Sequence, residues 1–159
     1  MSDSASEYRI EKGRRAVVLT TIGGAPVAGD VFVQPYARHR SGPEEPEDVL
    51  NSAEPFFPLV TASGETLLFA KEQVAEVECD GPPEDDDPQR LAGLRSALVE
   101  VHLTGGTVRT GFLYLETPTD RPRLLDYLNL VPHRFIALQG AEGVRLVNRR
   151  FIAHVRPLD

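Results

Sequence analysis

An internal duplication constrains the fold of this chain more than any other feature of its sequence. A shift of 82 positions, which carries Val17 onto Val99, also aligns the glycines that follow: Gly23, Gly24 and Gly29 with Gly105, Gly106 and Gly111. A shift of 78 positions aligns the later parts, for example Asp48, Leu50, Asn51 and Phe57 with Asp126, Leu128, Asn129 and Phe135. The two shifts differ by four positions, which predicts a four-residue insertion within residues 38–45 of the first copy. We therefore expect one fold that the chain contains twice.

Each copy has the pattern of a small β unit. Residues 99–104 alternate apolar and polar side chains, as a half-buried strand does. Gly105-Gly106 then favours a hairpin turn, because glycine adopts positive φ without steric cost. Five short strands in each copy predict a small, bent barrel rather than a sandwich. Apart from the opening strand, we expect them at residues 29–33, 56–61, 66–70 and 73–78, and at 111–115, 134–139, 144–148 and 151–156.

A change of period after the second strand of each copy predicts a short helix. Residues 120–129 combine an aspartate cap, an early proline and apolar residues four positions apart, and residues 45–51 repeat the pattern. Asn129 is expected to end its helix in the left-handed conformation. The predicted fold class is therefore mainly β: a tandem duplication of a five-stranded SH3/Sm-like small barrel, each with a short helix between the second and third strands.

This organisation predicts four segments. Residues 1–13 form a mobile N-terminal tail, 14–79 the first β-barrel repeat, 80–95 an acidic linker and 96–159 the second repeat. The linker contains prolines and four consecutive carboxylates at positions 84–87. Carboxylates on an extended chain point apart and lack the spacing and central glycine of a calcium loop, so we expect a solvated linker there rather than a metal site.

Composition limits the classes of function. A net charge of −7 argues against general nucleic-acid coating and against binding to an anionic membrane surface. A single cysteine excludes an internal disulfide and a multi-cysteine zinc site. No apolar run approaches the ~20 residues of a membrane helix, and the N-terminus lacks the features of a secretory signal. We expect a soluble, cytoplasmic, bacterial-type protein without membrane association.

The residue types that carry catalysis do not form a recognisable set. The four histidines (His39, His102, His133 and His154) do not lie at metal-ligand spacing from one another or from Cys79. Acidic neighbours of Cys79 are expected to raise the pKa of its thiol and weaken it as a nucleophile. No Ser, His and acid grouping recurs in the two copies. The sequence therefore predicts a non-enzymatic protein with no cofactor, no metal and no catalytic residue.

The first candidate binding surface is a motif that occurs in both predicted helices. Its residues are Asp48 and Asn51 in the first copy, and Asp126, Tyr127 and Asn129 in the second. They could form a pair of docking helices. Alternatively, the Asp and Asn side chains satisfy backbone groups at the turns, with Leu50 and Leu128 covering the core. The second interpretation is favoured because these positions are expected to be half-buried.

The second candidate is a basic turn. Residues 14–79 carry a net charge of −5 and the linker −3, whereas residues 96–159 carry +2. Arg149 and Arg150 lie in the turn before the last strand, where the first copy has Lys71 and Glu72. With Arg134, they could bind a phosphate, a nucleotide or an acidic protein surface. The alternative, an ordinary charged face, is favoured.

Residues 146–155 resemble the closing segment of Sm-like RNA-binding barrels, and residues 99–111 resemble their strand, turn and strand. This resemblance implies RNA contacts near Arg149 and Arg150. The whole pattern, with Arg-Leu-Leu-Asp-Tyr-Leu-Asn, Arg-Phe-Ile-Ala-Leu and Val-Asn-Arg-Arg-Phe-Ile, is similar to an uncharacterised bacterial family of small β domains, here in tandem. That similarity implies a fold and no activity.

Two hypotheses of function follow. The first is a non-enzymatic protein-interaction or scaffold module that self-associates or binds a protein partner through strand edges and helix faces. The alternative is Sm-like binding of RNA, a nucleotide or another anionic ligand through the basic turn of the second repeat. The negative net charge disfavours the alternative.

Overall fold

The chain is mainly β, as the sequence predicts. The computed structural model describes residues 13–36, 42–80, 95–115, 123–141 and 143–158. The chain divides into two compact units, residues 1–80 and 81–159. The predicted tail and acidic linker fall almost entirely on residues 1–12 and 81–94, and the predicted insertion falls partly on residues 37–41, all of which lie outside the described residues.

Unit 1, residues 1–80, contains five antiparallel strands and one helix among its described residues. In chain order they are β1 (Gly13–Thr21), β2 (Val27–Val33), α1 (Pro46–Asn51), β3 (Phe56–Thr61), β4 (Thr66–Ala70) and β5 (Val74–Asp80). A 3-10 turn, Lys71–Gln73, joins β4 to β5. The strand order across the sheet is β4-β3-β2-β1-β5.

Unit 2, residues 81–159, has the same succession of elements in its described part. They are β6 (Ser96–Leu103), β7 (Val108–Tyr114), α2 (Leu124–Leu130), β8 (Phe135–Gln139), β9 (Gly143–Asn148) and β10 (Ile152–Pro157). The 3-10 turn Arg149–Phe151 precedes β10. The strand order is β10-β6-β7-β8-β9. The fifth strand of each unit therefore pairs with the first.

The strands lie where the sequence predicts them, although most of their ends differ by a few residues from the prediction. β3 and β4 begin and end at the predicted residues. Gly105 and Gly106 both have positive φ, 99° and 96°, in the predicted hairpin between β6 and β7. In the corresponding turn of unit 1 only Gly23 has positive φ, 71°. The two turns therefore differ in conformation although both contain a glycine pair.

The predicted closed barrel is not confirmed. In unit 1 the described strands end at β4 on one side and β5 on the other, and these two strands are not paired with each other. In unit 2 the same holds for β9 and β10 among the described residues. Each unit is thus an open, antiparallel arrangement, and its end strands have backbone edges that a closed barrel would not have.

The predicted helices are present, but the second begins and ends differently from the prediction. Pro46 occupies the first turn of α1, as the sequence indicates. α2 begins at Leu124 and continues through Leu130. The left-handed terminator at Asn129 is wrong: among the described residues, only glycines have positive φ. The chain instead leaves α2 through Val131 in an extended conformation, with the Val131 N–H bonded to the Tyr127 carbonyl at 3.0 Å.

Apolar side chains from strands and helix form the core of each unit. In unit 1 Leu19, Val31, Leu50 and Leu59 are fully buried. In unit 2 Tyr127 belongs to the buried cluster, and Leu128 packs against that cluster while half-buried. The helices therefore contribute apolar side chains to the core, and Leu50 and Leu128 cover it as the structural interpretation of the repeated motif predicts.

Candidate functional site: the β4 edge and the basic turn

β4 is the last strand of the unit 1 sheet and has one strand neighbour, β3. Hydrogen bonds at its two ends fix the direction of its backbone groups: the Glu65 carbonyl accepts from Thr61 N–H at 2.8 Å, and Lys71 N–H donates to the Pro55 carbonyl at 2.8 Å. In an antiparallel strand, alternate residues direct both N–H and C=O to the same side. Leu67 and Phe69 therefore bond towards β3.

The intervening residues of β4 direct their backbone groups away from β3. These residues are Thr66, Leu68 and Ala70. No other strand of unit 1 lies beside them among the described residues. An edge of this kind is a template for pairing with another strand, because each outward N–H and C=O requires a hydrogen-bond partner.

The side chains on the outer face of this edge are apolar and accessible. Leu68 is 71% exposed and faces Pro58 across the β3–β4 pair. Phe56, which is 57% exposed, lies two residues before Pro58 on the same face and faces Ala70. On the inner face the rings of Phe57 and Phe69 stack with centroids 6.1 Å apart. We call Phe56, Pro58 and Thr66–Ala70 the β4 edge.

β10, one of the two end strands of unit 2, has features that disfavour pairing with a further strand. β10 pairs with β6, and the Leu158 N–H donates to the Leu98 carbonyl at 3.0 Å. Alternation from that bond directs Val155 and Pro157 outward, and Pro157 has no N–H to donate. The strand also has a register shift between Ile152 and His154 and carries Arg156. Proline, charge and an irregular register are the devices by which edge strands avoid pairing, and residues 66–70 of β4 contain neither charge nor proline.

The basic turn of unit 2 uses Arg149 for an internal contact. Its guanidinium group donates to the carbonyls of Leu128 and Val131 at the end of α2, and to the His133 carbonyl at 3.3 Å. These carbonyls carry the negative end of the helix dipole, so the cation stabilises the helix end. Since its donors are directed at backbone oxygens, Arg149 in this conformation is not directed at an external anion.

Arg134 and Arg150 adjoin Arg149. The Arg149 N–H donates to the Arg134 carbonyl at 2.9 Å, so the structure brings the two backbones together. The backbone N–H of Arg150 donates to the Asn148 side-chain oxygen at 3.0 Å. The side chains of Arg134 and Arg150 are exposed. The three arginines of the predicted anion site therefore lie close together in the chain's fold, with Arg149 half-buried and bonded to backbone carbonyls.

The residues of the repeated helix motif have different environments. The Asp48 carboxylate accepts from the Glu45 N–H at 2.8 Å and so caps the start of α1. Asn51 is half-buried at the end of α1, and Asp126 is half-buried in the first turn of α2. Tyr127 is buried in the core of unit 2, whereas Asn129 is exposed. The structure therefore gives Asp48 and Tyr127 roles in stability and leaves Asn129 as the accessible member of the set.

Cys79 lies in β5 and is 6% exposed. Burial raises the pKa of its thiol from 9.0 to about 12; Arg15 lowers it, and Glu47, Glu45 and Asp80 raise it by smaller amounts. The direction agrees with the sequence-based expectation, but desolvation rather than the acidic neighbours is the main cause. A thiol with this pKa is almost entirely protonated at neutral pH.

His102 and His154 form a contact that the sequence spacing does not reveal. They face each other across the β6–β10 pair, and their rings stack with centroids 4.1 Å apart. The Glu100 carboxylate lies 2.5 Å from His102 Nε2 and 3.6 Å from Arg156 Nε. Among the described residues, no group of three or more His, Cys, Asp or Glu side chains is arranged to hold a metal ion.

Comparisons of the chain with protein-family models, with curated proteins and with solved structures found no match. No helix within the described ranges is long and apolar enough to cross a membrane. Any assignment of function to this chain therefore depends on the residues and contacts given above.

Sequence reasoning names strand edges in general but does not find Leu68 and Phe56. A partial signal is present, because Thr66–Ala70 lies between two turns and carries no charge, but the predicted strand at 56–61 shares both properties. Which strand is outermost depends, however, on the pairing of β1 with β5 and of β2 with β3, and both pairings join residues distant in sequence.

Proposed function

We propose that this protein is a non-enzymatic interaction module that binds a protein strand along the β4 edge. In such β-strand addition, main-chain hydrogen bonds supply affinity and side chains of alternate residues supply specificity. The observation that carries the proposal is the contrast between β4 and β10, each of which is an end strand of its unit. β10 has proline, charge and an irregular register, while β4 presents outward N–H and C=O groups beside the exposed side chains of Leu68 and Phe56.

The proposal includes a structural interpretation of the chain as a tandem duplication of one small β unit of SH3/Sm-like ancestry. The shared succession of elements supports it, and so do matched glycines. Gly29 and Gly111 occupy corresponding places in β2 and β7, and at each a Cβ atom would lie within 2.7 Å of a backbone oxygen of the next strand. In this interpretation β4, the fourth strand of its copy, corresponds to β9, and β10, the fifth strand of its copy, corresponds to β5.

We propose that the protein acts in the cytoplasm, as the sequence leads us to expect. We also propose that its partner is a protein and not a membrane. Binding of RNA or a nucleotide at Arg134 and Arg150 is an alternative outcome of the tests. The guanidinium group of Arg149 donates to backbone carbonyls of unit 2. Nucleic-acid binding at the basic turn therefore has less support once these contacts are considered than it has from the sequence alone.

Affinity capture from the native host tests the proposal. The bait is the full chain, compared with Leu68→Lys at the edge and with Leu125→Lys as a matched control, since Leu125 is an exposed leucine of α2 with 67% exposure. We expect a defined set of proteins, which can include the untagged chain itself, to be retained by the wild type and by Leu125→Lys and to be lost from Leu68→Lys. An identical set on all three baits, or no protein on any bait, would contradict binding at the β4 edge.

A further inference from the structure

We infer that the strand bound at the β4 edge is β4 of a second copy of this chain, paired antiparallel about a two-fold axis at Leu68. The inference rests on the proposed function and names its partner. A two-fold interface uses the same patch on both copies, so the patch must be complementary to itself in backbone, side chains and charge. The residues of β4 meet each of these three requirements.

The backbone of the β4 edge is complementary to itself in one register. Its outward residues, Thr66, Leu68 and Ala70, are symmetric about Leu68. When Leu68 faces Leu68 of a second copy, Thr66 faces Ala70, and every outward N–H and C=O of one strand meets a partner on the other. A register displaced by two residues leaves one outward residue of each strand beyond the other strand's end.

The side chains of this register match on both faces. On the outer face the two Leu68 side chains meet, and Pro58 and Phe56 of β3 extend the apolar strip on either side. On the inner face Leu67 faces Phe69 of the second copy. Cross-strand aliphatic and aromatic pairs of this kind stabilise antiparallel sheets. Pairing therefore brings the exposed Leu68 side chains of the two copies into contact with each other.

Charge also permits self-pairing. Residues 66–70 carry no charge, so no like charges face each other within the paired strands. At the strand ends the register places Glu65 level with Lys71, whose buried Nζ is bonded to Ser52, and Glu72 level with Gly64, so no two carboxylates are level with each other. β10 is a poorer occupant, because Pro157 lacks a donor and Arg156 adds a charge at its edge. Of these two edges, β4 is therefore the better complement to itself.

Sedimentation of the purified full chain tests the oligomeric state. We expect a concentration-dependent dimer for the wild type and for Leu125→Lys. Leu68→Lys brings two ammonium groups together at the two-fold axis, so its dissociation constant is expected to rise on the order of a hundredfold. Because Leu68 is exposed, the variant is expected to keep the circular dichroism spectrum of the wild type, which checks that dimer loss is not unfolding.

Cross-linking tests the register independently of any loss of folding. Facing residues of a hydrogen-bonded antiparallel pair have Cα atoms about 5.5 Å apart, so Leu68→Cys should be joined between copies by a short bifunctional thiol reagent. Leu125→Cys is the control for exposed cysteines, and buried Cys79 is present in both variants. We expect a covalent dimer for Leu68→Cys and a monomer for Leu125→Cys.

The outcomes separate the inference from the proposed function. A monomeric wild type that nevertheless captures a host protein, with capture lost in Leu68→Lys, would overturn self-pairing and leave the β4 edge as the binding site. A dimer that persists in Leu68→Lys, or equal cross-linking of both cysteine variants, would also overturn self-pairing. A monomer with no Leu68-dependent partner would overturn both.

Discussion

Lys71 and Arg149 occupy corresponding positions in the 3-10 turns of the two units and stabilise the same feature, the end of a helix. Lys71 is fully buried, and its Nζ donates to the Ser52 carbonyl at 3.1 Å and to the Ser52 hydroxyl oxygen at 2.8 Å, where α1 ends. Arg149 reaches the carbonyls at the end of α2. A cation at this position satisfies the terminal carbonyls that a short helix leaves without partners.

This role predicts different effects for two neighbouring arginines. Arg149→Ala removes hydrogen bonds to backbone carbonyls and is expected to lower the free energy of unfolding by about 2 kcal/mol. Arg134→Ala is the matched control, because its backbone carbonyl accepts from the Arg149 N–H while its side chain is exposed and is expected to contribute less than about 0.5 kcal/mol. Urea denaturation followed by circular dichroism measures both. Equal effects of the two substitutions would contradict the helix-stabilising role of Arg149.

The buried thiol of Cys79 predicts a loss of stability in alkali. Its pKa is about 12 in the folded protein against 9.0 for an unperturbed cysteine thiol, so the folded state retains a proton that the unfolded state loses. The contribution is complete below pH 9 and is lost as the pH rises towards 12, by at most about 1.4 kcal/mol per pH unit. We expect wild type and Cys79→Ala to converge in unfolding free energy over this range. A constant difference from pH 8 to 11 would contradict the burial of the thiol.

At the scale of the elements, Gly29 and Gly111 allow neighbouring strands to approach closely. A Cβ at Gly29 would lie 2.7 Å from the Val60 carbonyl oxygen, and one at Gly111 would lie 2.6 Å from the Gln139 carbonyl oxygen. Both distances are far shorter than van der Waals contact, and the obstructing atom is backbone. The same glycine at the same step of β2 and β7 therefore has a steric cause, namely the pairing with β3 and β8.

We expect Gly29→Ala and Gly111→Ala each to lower the free energy of unfolding by about 1–3 kcal/mol, since the added methyl group forces the next strand to move. Gly140→Ala is the control, because a Cβ there would lie 3.6 Å from the nearest atom, the Gly143 carbonyl oxygen. Thermal or urea denaturation of the three variants measures the effect. Similar unfolding free energies for all three variants would contradict the steric role of Gly29 and Gly111.

The sequence predicts individual elements well and their long-range relations poorly. Short apolar runs between turn residues locate β3 and β4, and Pro46 locates the start of α1, because these signals act within a few residues. The end of α2 is predicted wrongly, because a hydrogen bond from Val131 and the guanidinium group of Arg149 terminate the helix instead of a left-handed Asn129. The His102–His154 contact requires the pairing of β6 with β10, which local patterns do not specify.

At the scale of the whole molecule, the net charge of −7 distinguishes the two candidate functions by their response to salt. Two acidic copies repel each other, while the β4 strands that pair are uncharged. Added salt screens the repulsion. The dimer dissociation constant is therefore expected to fall about threefold between low and physiological ionic strength. Binding of RNA through Arg134 and Arg150 would weaken instead as salt rises. Sedimentation across a salt series, with and without a short RNA, measures both.

The central claim, that the outward backbone of β4 is a binding edge, is tested most directly by residue-resolved amide hydrogen exchange. The Leu68 amide points away from β3, whereas those of Leu67 and Phe69 are bonded to it. We expect exchange of the Leu68 amide to slow as the protein concentration rises through the dimer range, while Leu67 and Phe69 are protected at every concentration. A Leu68 amide that exchanges rapidly at all concentrations and in the presence of every captured partner would contradict the claim.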